Sequence, residues 1–285
     1  MIKIVVDSCS SMLLPEAEKR NIKVVPMKYE LNNKEVNPLT DNVDIKAFYD
    51  SLEDHNTNVK TSCVSPDDYK NAFEAIINNN DEVLYIALSK GLSGSYNSAF
   101  LAKDLVSDDY PDAKIEIVNS LSGSIGIKLL VDEAEELIKE GKTLEETKNA
   151  LDAFANRLTS TFTIGSLYHL YKGGRLSYTA MIAGRLLRFK PVISASKEGK
   201  LEKTGTFIGK NKAIDSMLET LDADIDKDSR SIYIGYTNNY SECEKVANGL
   251  KDKYSWLNIK LEPIDSTMGC HCGPNTIALF YFRKA

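Results

Sequence analysis

The feature that most constrains this chain is an alternation in its first half. Short apolar runs end in clusters of small polar residues, and each is followed by a stretch with helical periodicity. Ile2–Asp7 runs into Ser8-Cys9-Ser10-Ser11, Glu82–Leu88 into Ser89–Ser95, and Lys114–Val118 into Asn119–Ser124. Helical patterns follow over Leu14–Arg20, from about Tyr96 to Leu105, and from Gly126 to Glu140. Between them, Ile22–Tyr29 is another apolar run, Asn32-Asn33 reads as a hairpin turn returning through Lys34–Val36, and Val59–Thr61 is a short extended piece. Asp44–Leu52 carries Ile45, Phe48 and Leu52 on one helical face. Ser65-Pro66-Asp67-Asp68 starts a further helix: a capping residue, proline at the first helical position, then acids in the first turn. Gly141 stops the long helix, and Thr143-Leu144-Glu145-Glu146 opens the next. Strands alternating with helices imply a parallel sheet covered on both faces. Ligands of such sheets sit at the carboxyl ends of strands. Those ends are expected at Asp7-Ser8, Thr61-Ser62, Ser89–Ser95 and Asn119–Ser124, all rich in hydroxyls.

The second half has a different pattern. Phe162–Ile164 is short and extended, Ser166–Tyr171 is helical up to Gly173-Gly174, and Tyr178–Leu187 reads as a second helix. Pro191–Ser196 and Lys200–Phe207 form a hairpin around Glu198-Gly199. Helix (Lys210–Leu221), strand (Ser231–Tyr236), helix (Glu242–Lys251), strand (Leu257–Pro263) and a last strand (Thr276–Phe282) follow. At 285 residues the chain exceeds the usual ~100–200 of one domain. The expected fold class is therefore α/β with two domains. Residues 1–160 form an N-terminal parallel-sheet, Rossmann-like domain, and residues 161–285 an α+β domain with a mixed sheet.

Composition removes several functions. The net charge is −6 and the basic residues are interleaved with acidic ones, so the basic stripe of a nucleic-acid binder is missing. Met1–Asp7 reads as a strand and not as a secretion signal, and no stretch approaches the ~18 apolar residues of a membrane span. A cytoplasmic protein is expected. Five scattered cysteines, Cys9, Cys63, Cys243, Cys270 and Cys272, suggest free thiols. Cys270-His271-Cys272 has no second ligand pair at zinc spacing, so no metal is expected.

Gly91-Leu92-Ser93-Gly94-Ser95 is the leading candidate site. It joins a strand to a helix, its glycines permit a tight turn and close approach to a ligand, and the helix start offers free N–H groups to an anion. Ser93 and Ser95 add hydroxyls, or cap the helix. With little positive charge nearby, a carboxylate fits better than a polyphosphate. Gly-x-x-x-x-Gly-Lys-Ser/Thr and Gly-x-Gly-x-x-Gly patterns are missing, which disfavours ATP or NAD chemistry. A serine nucleophile would want Gly at position 95 and a histidine base. The histidines are His55 in a polar loop, His169 in a helix, and His271. His271-Cys272-Gly273-Pro274 reads as a rigid turn before the last strand, able to aim His271 at a carboxylate or at water. Arg175, after Gly173-Gly174, could fork onto an acid or phosphate, or tie the two domains together.

In order along the chain, Val5-Val6-Asp7-Ser8, Thr61-Ser62 with Ser65-Pro66, Gly91 to Ala99, Ser120 to Gly126, Gly173-Gly174-Arg175-Leu176-Ser177, Lys190-Pro191 with Gly199, and His271-Cys272-Gly273-Pro274 resemble the DegV family. Its members include the B subunits of bacterial fatty-acid kinase. The resemblance implies two domains with the ligand between them: one long-chain fatty acid such as palmitate or oleate, its tail in an apolar tunnel. It implies a carboxylate held by Thr61 and Ser93, with Gly94, Ser95, Ser124 and His271 at the ligand, and Arg175 docking a kinase or contacting phosphate. The partner would be a separate fatty-acid kinase catalytic subunit that makes acyl-phosphate, with transient contact to a membrane surface. The chain itself would be a carrier with no catalytic residue and no cofactor beyond the bound acid. Burying a methylene yields about 0.8 kcal/mol, so the tail would dominate affinity and a few hydroxyls would suffice for the head. Two alternatives stand beside this: a serine esterase or acyl transferase using Ser93 with His271, and a lipid sensor without a kinase. The chain departs from the family at Thr206–Lys210, where Ile208 stands in place of an arginine. It departs again at Gly235-Tyr236-Thr237-Asn238, and at Cys63-Val64 where a Gln-Pro-like pair is common.

Overall fold

The structure is a computed structural model and describes residues 1–54, 56–176 and 189–284. His55 and the helix expected over Tyr178–Leu187 lie outside the described residues.

Four strands, β1 (Ile2–Asp7), β2 (Lys23–Val25), β6 (Glu82–Ala87) and β7 (Ile115–Asn119), form a parallel sheet in the order β2-β1-β6-β7. Strand β6 is buried along almost its whole length, which is why it reads as an unbroken apolar run. Helices α3 (Pro66–Ile77) and α4 (Ser95–Asp109) cover one face, α5 (Ile125–Lys139) and α6 (Leu144–Arg157) the other. Their starts are local in origin. The Ser65 hydroxyl accepts from the Asp68 N–H at 3.1 Å, and Thr143 with Glu146 closes a reciprocal capping box.

The second sheet is six-stranded and mixed. It comprises β8 (Leu158–Thr163), β9 (Phe189–Ala195), β10 (Leu201–Ile208), β11 (Ser231–Tyr236), β12 (Asn258–Pro263) and β13 (Ile277–Phe282), in the order β10-β9-β8-β13-β11-β12. Only β11 and β12 run parallel. Helices α8 (Lys210–Asp224) and α9 (Tyr240–Lys253) pack against this sheet. Helix α5 packs against strands of both sheets, and accordingly Ile125, Ile127, Leu129, Leu130 and Val131 are all buried. The parallel sheet and the separate mixed sheet match the expected fold class.

One expectation fails. Val59–Thr61 does not extend the parallel sheet. It is strand β5 of a small antiparallel sheet with β3 (Tyr29–Leu31) and β4 (Lys34–Val36), in the order β4-β3-β5. The run Ile22–Tyr29 splits between β2 and β3. Asn32 and Asn33 make the expected hairpin turn with φ of 51° and 66°. Helix α2 (Ile45–Ser51), capped by Asp44, packs Phe48 and Tyr49 against Tyr29 and Cys270. Three short helices complete the described α-helical elements: α1 (Leu14–Lys19), α7 (Tyr168–Lys172) and α10 (Ser266–Cys272). Among the described residues, no helix is long and apolar enough to cross a membrane.

Candidate functional site

A cavity of about 840 Å³, measured to its open mouth, lies between the carboxyl edge of the first sheet and one face of the second. Met27, Leu88, Leu92, Phe162, Leu201 and Phe280 make its walls largely apolar. Several hydroxyls in the lining are already spent on protein partners. Ser122 and Ser160 pair at 2.6 Å, Ser124 pairs with Ser11 at 2.8 Å, and the Thr276 hydroxyl donates to the Cys272 and Gly273 carbonyls.

Thr61, Ser93, Arg175 and His271 form a second polar group. All four line the cavity, and they come from four separate parts of the chain. Thr61 ends β5. Its hydroxyl lies 2.8 Å from Nε2 of His271, on α10. His271 is therefore a helical residue, not the loop residue its Gly-Pro neighbours suggested. Asp265 caps that helix by accepting from the Met268 N–H. Nδ1 of His271 has no hydrogen-bond partner among the described residues and faces Gly173, where an added Cβ would stand 2.2 Å away. Burial pushes the imidazole down to about 4, with repulsion from Arg175 and His169 acting the same way. At neutral pH His271 is uncharged, so one ring nitrogen donates and the other accepts.

Arg175 follows α7. Its Nε donates to the Leu92 carbonyl at 2.9 Å and its Nη1 to the Gly173 carbonyl at 2.5 Å. It thus bridges the segment after β8 to the Gly91–Ser95 loop, and it also lines the cavity.

The Gly91–Ser95 loop divides its labour. Ser93 faces the cavity. Its Oγ donates to Ser95 Oγ at 3.0 Å, accepts from the Ser95 N–H, and lies 3.6 Å from Cys63 Sγ. Ser95 is fully buried and outside the lining. Its hydroxyl accepts from the Val64 N–H, tying the β5 exit to this loop. Gly94 is the N-cap of α4 and also stands outside the lining. Gly91 makes room for backbone rather than for ligand. A Cβ there would meet the Gly199 carbonyl oxygen at 2.7 Å and that of Glu198 at 2.9 Å. The turn of the β9–β10 hairpin sits directly on this loop, and the Ser89 hydroxyl donates to the Gly199 carbonyl at 2.8 Å. Ser124 lines the cavity with φ of 54°, its hydroxyl engaged by Ser11.

Sequence reasoning passed over the wall contributed by the second sheet. Ser160 and Phe162 on β8, and Ala278 and Phe280 on β13, point into the cavity two residues apart. The period-2 alternation of a strand was the available signal.

Fold and site together define a class: an α/β protein in which a parallel and a mixed sheet flank an apolar cavity bordered by one small polar cluster. The chain matches the family described as "Uncharacterised protein, DegV family" over residues 1–284, and it belongs to the DegV family. A DegV domain-containing protein of Streptococcus pyogenes serotype M1 is 37% identical over 221 residues, 78% of this chain and 77% of its own. Two solved structures superpose over the whole chain. The Streptococcus pneumoniae fatty acid kinase (Fak) B3 protein loaded with linoleic acid has 27% identity and a TM-score of 0.88, with 100% of each chain covered. A stearic acid-binding protein from Eubacterium ventriosum has 29% identity and a TM-score of 0.87, covering 100% of this chain and 99% of that one.

Proposed function

We propose that this protein binds one long-chain fatty acid in the cytoplasm and presents its carboxylate to a separate fatty-acid kinase subunit. The observation that carries the reading is the uneven distribution of polar atoms in the cavity. Ser122, Ser124, Ser160 and Thr276 bond to groups away from the cluster, whereas Thr61 and Ser93, bonded to His271 and Ser95, stand with His271 and Arg175 at an otherwise apolar space. The acyl chain lies against Leu88, Phe162, Leu201 and Phe280, and Thr61 and Ser93 hold the carboxylate. Neutral His271 orients the Thr61 hydroxyl. Among the described residues Arg175 supplies the one formal positive charge in the lining, close to the phosphate that a kinase would add. Ser124 borders the ligand; Gly94 and Ser95 support Ser93 from behind.

The fatty acids bound by the S. pneumoniae and E. ventriosum proteins support the ligand class, and the kinase-subunit neighbour supports the partner. The esterase reading lacks a base at Ser93, because His271 is hydrogen bonded to Thr61 and Ser93 to Ser95. Incubating oleate-loaded protein with ATP and a fatty-acid kinase catalytic subunit tests the assignment. Oleoyl-phosphate formed only when both proteins are present is expected. Oleate bound but never phosphorylated would leave a lipid sensor in place of a kinase substrate carrier.

A further inference from the structure

One hydroxyl in the cavity wall has a charge behind it that the carrier reading does not use. Ser124 lines the cavity and is 4% exposed. Its Oγ lies 2.8 Å from Ser11 Oγ, and the Ser11 hydroxyl donates to Oδ2 of Asp265 at 2.7 Å. Asp265 is the cap of α10, and its Oδ1 accepts from the Met268 N–H at 3.1 Å. The Asp265 N–H turns back onto Ser11 Oγ at 3.4 Å. The Ser124 backbone is anchored as well, its N–H donating to the Cys9 carbonyl at 2.7 Å. Among the described residues, Ser124, Ser11 and Asp265 share no hydrogen bond with Thr61, Ser93, Arg175 or His271.

A hydroxyl has one proton and two lone pairs, and a carboxylate can only accept. Ser11 therefore gives its proton to Asp265, and Ser124 gives its own to Ser11. Ser124 is left presenting lone pairs to the cavity, and among the described residues no donor reaches them. The Ser122–Ser160 pair is different. No charge fixes its direction, so it can give or take. Three kinds of ligand group could meet Ser124. A methylene leaves its lone pairs unmatched. A carbonyl or carboxylate oxygen meets them lone pair against lone pair. An O–H group completes them. The same direction keeps a fatty-acid carboxylate away from Ser124 and leaves it to Thr61 and Ser93.

We propose that Ser124 is a subsite for a hydroxyl group carried part-way along the acyl chain, with Asp265 as the positioning residue that aims the Ser124 proton inward through Ser11. The ligand class then includes hydroxylated long-chain fatty acids and disfavours their keto counterparts. The inference deepens the carrier reading and rests on it. The carboxylate lies at Thr61 and Ser93, and the chain hydroxyl donates to Ser124 Oγ. No covalent bond forms or breaks. Asp265→Asn has a diagnostic consequence. The Met268 N–H still needs an acceptor, so the amide oxygen faces it and the amide NH2 faces Ser11. Ser11 then accepts from the amide and donates to Ser124, and Ser124 donates into the cavity. That variant should take a keto oxygen as readily as a hydroxyl.

The test is calorimetric titration of delipidated full-length protein at neutral pH. The ligands are stearate, a set of hydroxystearates with the hydroxyl moved along the chain, and the matching oxostearates. In the wild type, at least one hydroxystearate should bind about tenfold more tightly than its oxo counterpart, the scale of one hydrogen bond against an unpaired oxygen. Ser124→Ala should bring that pair within about twofold of each other and leave stearate affinity unchanged. Asp265→Asn should close the same gap by raising the affinity for the oxo acid. Wild-type binding of stearate with no hydroxy–oxo pair told apart overturns the subsite and leaves the carrier reading standing. A gap that survives in Ser124→Ala, or in Asp265→Asn, overturns the subsite equally. Failure of the wild type to bind stearate or any of its derivatives overturns both.

Discussion

Two polar clusters join the halves of this molecule, and they are built on opposite terms. The first lies around α5. Lys128, 1% exposed, pairs with Glu16 at 2.7 Å and Glu262 at 2.9 Å. Beside it, Arg20 meets Asp132 and Glu135, and Asp132 also receives Lys260 and the Tyr233 hydroxyl. Burial raises the Asp132 carboxyl, but the bonds from Lys260 and Tyr233 outweigh it and leave the group below its ordinary range. Each of these charges has a partner. The second cluster lines the cavity, and there burial wins. It lowers His271 and, deeper in, raises Asp7. Thr61 and Ser93 retain capacity for a further partner. A network in which every charge has a partner acts as a fastener, whereas hydroxyls that can take one more partner at the edge of an apolar space suit a binding site.

The largest effect expected from this contrast falls on the fastener. Lys128→Ala leaves Glu262 without its cation and Glu16 with Arg20 alone. It should lower unfolding stability by about 3 kcal/mol in urea melts, the low end for a buried pair because both acids reach water. The folded fraction should still bind one acid. Gly91→Ala comes next. Its methyl would drive into the Gly199 carbonyl, a backbone group with little freedom to yield, so a cost of about 1–3 kcal/mol and faster ligand release are expected in thermal melts and stopped-flow displacement. In the cavity the pattern reverses. Ser93→Ala and Thr61→Ala should each weaken fatty-acid affinity about tenfold, roughly the worth of a hydrogen bond to a charged group. Stability should change little in either. If stability drops while affinity holds, the two clusters have been assigned the wrong way round.

The smallest effects are in pH dependence, where the two buried groups oppose each other. The folded pKa of His271, about 4, lies below its ordinary 6.5. Its contribution is complete above 6.5 and is lost as pH falls toward 4. The folded pKa of Asp7, about 6, lies above its ordinary 3.8. Its contribution is complete below 3.8 and is lost as pH rises through 6. Between pH 6 and 4 they partly cancel. His271→Gln should therefore lose less stability than the wild type on acidification, and Asp7→Asn should lose more. Parallel curves for all three proteins would contradict both assignments.

What could be read from the residues alone follows from the range of the forces involved. Ser65 and Thr143 announced their helices because a cap acts within three residues. β6 announced itself because a strand buried on both faces must be apolar throughout. Helix α10 was missed because Ser266–Cys272 has no apolar period. Gly269 sits where a Cβ would strike Phe48 and Tyr49, so tertiary packing holds the helix, and the Asp265 cap was its only local sign. Thr61 was expected on the parallel sheet because a three-residue strand carries no record of its partner. The same limit hid the pairing of Thr61 with His271, 210 residues apart, and the descent of the hairpin turn onto Gly91. Ser93, on a strand-to-helix loop with its own polar signature, was legible. What lay behind it was not.

The cavity is proposed to hold one fatty acid by its carboxylate at Thr61 and Ser93. Native mass spectrometry of delipidated protein reloaded with oleate tests it most directly. A single 1:1 adduct is expected in the wild type, largely lost in the Thr61→Ala, Ser93→Ala double variant. No adduct in the wild type, or an undiminished one in the double variant, would contradict it.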